Sequence, residues 1–198
     1  MEQMTKSIQG VIDIAWPMVF ISVVIAVSLR LTYLIKKKEH FALYKELLML
    51  SFIIYVLCLF QIVTFQDDVS WSSNNFIPFR EMFRYSFGSR LFIKNVLGNI
   101  TLFLPFGLFT SYYLDIKKPY LIIFLTLIAS ASIEVVQMMI GRVFDIDDII
   151  LNLIGGIIGF YIMVILRKIG DFLPNFMKSE LFLNIISAII LVGIIALI

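Results

Sequence analysis

Apolar residues fall into six long runs along this chain, and Lys, Arg, Asp and Glu gather in the short stretches between them. The runs cover about 14–35, 47–65, 95–114, 119–140, 149–166 and 181–198. About 20 apolar residues, rising about 1.5 Å each, cross roughly 30 Å of hydrocarbon as a helix. The pattern therefore predicts an all-α protein, a polytopic bundle of about six transmembrane helices. Pro17 stands in the opening turn of the first run, where a missing N–H costs nothing. Lys36, Lys37 and Lys38 end that run, and Arg30 just before them is long enough to snorkel to the surface. The first run is too long for a signal-peptide core and carries no small-residue cleavage site, so it reads as a retained helix.

Composition narrows the class without changing it. The 198 residues are 61% hydrophobic and 15% charged, against about 45–50% and about 25% in soluble domains. No soluble stretch is long enough for a domain of its own. A net charge of +2 gives no argument for a nucleic-acid partner. Cys58 is the only cysteine, so no intrachain disulfide forms, and the single His40 excludes a multi-histidine metal site.

Polar residues inside the runs are the informative exceptions, because ionisable groups at membrane depth are costly and turn toward each other or toward water. In the third run Asn95, Asn99, Phe103, Phe106 and Thr110 share a face by their spacing of three and four, and Pro105 and Gly107 predict a kink. In the fourth, Ser130, Glu134, Gln137 and Gly141 form a small-or-polar stripe. In the fifth, Asp148, Asn152, Gly155 and Gly159 do the same, with Gly156 beside them, and small residues at this spacing let helices approach closely. Gln61 reads as a helix–helix hydrogen bond, and the sixth run as packing or anchorage.

Between runs four and five the loop holds Arg142, Asp145, Asp147 and Asp148. With Glu134 below it, this makes four acids to one base. Asp147 or Asp148 is placed to N-cap the fifth helix, but one cap accounts for one acid. Three further readings stay open. The acids pair with Arg142 and basic neighbours in a structural network. Asp145, Asp147, Asp148 and Glu134 offer hard oxygen ligands for a divalent cation such as Mg²⁺, Ca²⁺ or Mn²⁺, with no other cofactor indicated. Or they face a cationic or polar headgroup. The loop at 66–94 interleaves Arg80, Arg84, Arg90, Asp67 and Asp68 with Trp71, Phe76, Phe79, Phe83 and Phe87. That mixture suits the headgroup layer, as an anchor or with the Arg side chains on lipid phosphates. Alternate loops share a side. Arg30, Lys36, Lys37, Lys38, Lys45, Lys117, Lys118, Arg167, Lys168 and Lys178 then oppose Lys6, Arg80, Arg84, Arg90, Lys94 and Arg142. Ten against six puts the 141–148 loop and both termini outside the cytoplasm.

The order Asn75-Phe76-Ile77-Pro78-Phe79, then Gly98-Asn99-Ile100-Thr101-Leu102-Phe103-Leu104-Pro105-Phe106-Gly107, then Glu134 and Gln137, then Gly141-Arg142 through Asp145, Asp147, Asp148 and Asn152 to Gly155 and Gly159 resembles the VanZ-like family of bacterial membrane proteins. Thr101 stands where an aliphatic residue is more usual. The resemblance covers about 75–166. Residues 1–74 then hold two N-terminal segments and the start of the outer loop, and 167–198 the last segment. The resemblance implies a multi-pass protein of the bacterial cell membrane, and a founding member associated with low-level resistance to the glycopeptide teicoplanin. The motif positions it carries over are Asn99, Pro105, Glu134, Gln137, Arg142, Asp145, Asp147, Asp148 and Asn152.

Together these readings favour a non-enzymatic protein that binds a membrane lipid or a lipid-linked cell-wall precursor. Asn99, Glu134, Gln137, Arg142, Asp145, Asp147, Asp148, Asn152, Arg80 and Arg84 are the candidate ligand-binding residues. An intramembrane enzyme with Glu134 and Asp148 as proton donor and acceptor is the alternative. A cation-coupled transporter ranks third, since no internal repeat is visible.

Overall fold

The structure, a computed structural model, describes residues 2–37, 41–65 and 74–196. Lys38, His40, Asp67, Asp68 and Trp71 lie outside the described residues. Six long helices follow in order: α1 (Glu2–Lys37), α2 (Leu43–Phe65), α3 (Arg90–Tyr113), α4 (Pro119–Met139), α5 (Ile146–Phe172) and α6 (Glu180–Ala196). Short 3₁₀ turns stand at Met82–Arg84 and Asn175–Lys178. Among the described residues the chain is all-α, and the sole extended pairing is an isolated parallel bridge between Asn75 and Asp145. By length and composition α3, α4 and α5 are each able to cross a membrane, and α6 is a shorter apolar helix.

The helices outrun the apolar runs that announce them. α1 begins at Glu2 rather than near 14, and α5 runs from Ile146 to Phe172 rather than over 149–166. An apolar run marks the stretch that leaves water. Helical backbone continues past it wherever flanking Glu, Lys, Arg and Gln favour it.

The chain divides into two compact units, Asp68–Phe172 and Met1–Asp67 with Leu173–Ile198. In the second, α2 packs on α6 and α1 on α2. Arg30 does not simply reach for the surface. Its guanidinium donates to both carboxylate oxygens of Glu46, at 2.9 and 3.1 Å, and so clips α1 to α2.

In the first unit α3 and α5 cross with their backbones almost touching. A Cβ on Gly107 would stand 2.0 Å from the Gly156 carbonyl oxygen, one on Gly155 2.2 Å from that of Ile100, and one on Gly159 2.1 Å from that of Leu104. Only glycine fits at these three places. α4 completes the unit, with Thr126 filling the space beside Gly156. Its buried face is Ile122, Thr126, Ser130, Glu134 and Gln137, one residue per turn. α3 runs unbroken through Pro105. Its irregular turn lies earlier, at Ile93–Leu97, where π-type bonding takes the Gly98 N–H to the Ile93 carbonyl. At the other end of α3, Arg167 from α5 donates to the carbonyls of Ser111 (2.6 Å) and Ile116 (2.9 Å) and pairs with Asp115 at 3.3 Å. A cation there complements the helix C-terminus.

Candidate functional site

The site grows from the way α4 ends. Gly141 takes φ +85°, a left-handed conformation that a glycine adopts without strain. Its N–H donates to the Met138 carbonyl, and the Arg142 N–H to that of Gln137 at 2.9 Å. This is a Schellman stop, and it turns the chain back over α4. Gly141 is thus exposed and outside the buried stripe in which its spacing had placed it. Four residues on, Asp145 caps α5: its Oδ1 accepts from the Asp147 N–H at 2.9 Å. The sequence favoured Asp147 or Asp148 for the cap; they lie two and three places too late, inside the first turn.

Each acid has a distinct set of partners. Glu134, 1% exposed, accepts the backbone N–H of Asp145 at 2.9 Å and so ties α4 to the start of α5. Asp145 Oδ1 also accepts from the Asn75 side-chain amide at 2.8 Å. Around it the Asn75 N–H donates to Phe144 and the Ile146 N–H to Asn75, which makes the parallel bridge. The Asp145 carboxyl is raised above its ordinary value by burial, against which the Asp147 N–H and the Asn75 amide work. Asp147, 1% exposed, takes three backbone N–H donors from the preceding loop: Phe79 at 2.5 Å on Oδ1, Glu81 at 2.8 Å and Met82 at 3.0 Å on Oδ2. The loop is wrapped around this carboxylate. Phe79 sits at φ +66°, which is strained for a bulky residue, and its N–H is one of the three donors. Asp148 accepts from the Asn99 amide of α3 at 2.5 Å. Asn152, one turn on, donates to Ser130 Oγ at 2.9 Å.

Glu134 holds the Asp145 N–H three residues before Asp148, Asp148 holds Asn99 of α3, and the Arg142 N–H closes the end of α4 on Gln137. Asn99, Glu134, Asp145, Asp148 and Arg142 therefore share one end of α3–α4–α5, with Gln137 buried on the same α4 face. Asp147 belongs to the loop beside them. Arg80 and Arg84 are not in this cluster. Arg80 is exposed without an ion pair among the described residues, and Arg84 pairs with Glu81 at 3.1 Å on the loop surface. No group of three or more His, Cys, Asp and Glu among the described residues is arranged to hold a metal ion. In particular Asp147, one of the four candidate metal ligands, has both oxygens engaged by N–H donors. Two further participants are Asn75, to which the sequence assigns no role, and Ser130, to which it assigns only a place on the α4 stripe. Asn75 stood in the Asn-Phe-Ile-Pro-Phe motif, but its partner lies 70 residues away, beyond the reach of helical spacing.

Membrane-length apolar helices whose acids and amides turn inward at one end define an integral-membrane helical protein with a polar site. The VanZ/LLP1 family profile matches residues 52–167. That is more than half of the chain, which belongs to this family. No curated protein and no solved structure matched the chain.

Proposed function

We propose that this VanZ/LLP1 protein spans the bacterial cytoplasmic membrane several times, with the 141–148 loop on the extracytoplasmic side, and there binds the polar headgroup of a lipid or lipid-linked envelope component. Glu134 and Asp148 face a cationic or hydroxyl-bearing part of the ligand, Asn99 and Gln137 orient it, and Arg142 meets an anionic part. By occupying such a component the protein changes how a lipid-anchored glycopeptide such as teicoplanin engages the cell surface. The observation that carries the reading is a pair of acids on neighbouring helices, buried Glu134 on α4 and half-buried Asp148 on α5, each with one hydrogen-bond donor among the described residues where a carboxylate accepts several. That leaves acceptor capacity for a ligand.

The test is lipid retention by Glu134→Gln with Asp148→Asn. Each substitution keeps an oxygen for the donor now present, so the fold is retained while the charge is removed. The expected outcome is loss of a lipid that co-purifies with the wild-type protein.

A further inference from the structure

The loop before α3 shows a surface that the buried site does not use. Phe76, Phe83 and Phe87 are 65%, 80% and 91% exposed. Between Phe76 and Arg90 the charged residues are Arg80, Glu81, Arg84 and Arg90, three basic to one acidic, or +2. An exposed apolar patch of this kind marks an interaction surface. Nor is it a slack segment. The Asp147 carboxylate gathers three of its N–H groups, the Arg84 and Glu81 side chains pair across the 3₁₀ turn, and Phe76 stacks on Phe144 at 5.1 Å. Rings and guanidinium groups are thus presented together on a fixed backbone. Rings that prefer hydrocarbon, set among bases that prefer phosphate, match the boundary layer of an anionic bilayer. A water-facing loop has no use for the rings, and an apolar partner none for the unpaired excess of charge.

We infer that residues 76–90 form a docking surface for the anionic phospholipid headgroups around the protein. Phe83 and Phe87 enter the boundary layer, and Arg80, Arg84 and Arg90 engage phosphate. Asp147 is the positioning residue that shapes the turn. This inference is independent of the Glu134 site and survives its failure.

The experiment places Phe83→Trp or Phe87→Trp in a full-length chain carrying Trp16→Phe and Trp71→Phe. The protein is reconstituted in nanodiscs of phosphatidylcholine and phosphatidylglycerol, with bromine on one lipid or the other. Both indoles are expected to be quenched, more strongly by brominated phosphatidylglycerol. Arg80, Arg84 and Arg90→Gln together should abolish that difference, at about fivefold in preference per arginine. These side chains are exposed, so the substitutions leave the fold intact. Three results overturn the proposal. The first is no quenching by either lipid. The second is equal quenching by both in the chain that keeps its arginines. The third is an unquenched indole with a Phe87→Cys disulfide between copies, which makes the surface an interface of the protein with itself.

Discussion

Asp147 shows how much one carboxylate organises here. Three backbone N–H groups converge on it from a loop more than sixty residues earlier in the chain. Charge-assisted hydrogen bonds of this kind each contribute about 1.5–3 kcal/mol, and buried donors left without an acceptor cost about as much. Asp147→Ala should therefore destabilise the Asp68–Phe172 unit by roughly 3 kcal/mol or more on these figures, and make the 76–85 backbone exchange its amide hydrogens fast. Slow exchange there in the variant would show that the loop holds itself. Asp145 makes a different prediction. Its folded-state value lies above the ordinary 3.8 because burial disfavours the charged form. The folded state thus binds this proton more tightly than the unfolded chain does. The stability so gained is complete below 3.8 and is lost as pH rises through the raised folded value. Asp145→Asn keeps an oxygen for Asn75 and for the Asp147 N–H, and removes the titration. Thermal midpoints of the variant, followed upward from acidic pH in detergent, should fall less than those of wild type across that window. An equal fall would assign the pH dependence to other groups.

At the scale of the helix, the decisive feature is the glycine seam between α3 and α5. The expectation of close approach from Gly155 and Gly159 holds, and Gly107 proves to be part of the same contact. Gly107→Leu or Gly155→Leu should separate the two helices, since overpacking costs typically about 1–3 kcal/mol even where side chains can yield and here the obstacle is backbone. The same substitution at Gly170, which has open space around it, should be nearly silent. A thermal-shift comparison of the three variants tests this, and equal midpoints would refute the seam. These elements were legible because helical periodicity is local. The buried face of α4 at Ser130, Glu134 and Gln137 follows from spacing alone, as does the place of Asn152 one turn past Asp148 on the inward stripe of α5. What spacing could not show is partner choice across the fold. Asn75 meets Asp145, and Asp147 meets backbone N–H groups, through a loop with no period. For the same reason Asp147 looked like a ligand-facing acid, and Arg80 and Arg84 like members of the cluster. The N-cap was read two or three positions late because three nearby Asp residues offer the same side chain, and only the Schellman stop at Gly141 fixes which one begins α5.

In the molecule as a whole, scaffold and site are built from different residues. The glycine seam and the Arg167 clamp hold α3 and α5, and the Asp147-centred loop closes the end at which Asn99, Glu134 and Asp148 gather. Glu134 and Asp148 each make one structural hydrogen bond and keep acceptor capacity beyond it, the capacity proposed above for a ligand. The most direct measurement is native mass spectrometry of the full chain purified from its own membranes, beside Glu134→Gln with Asp148→Asn. Wild type is predicted to carry a defined lipid species that the double variant lacks, with both proteins melting at similar temperatures. The same lipid retained in the same amount by an equally stable variant would contradict it.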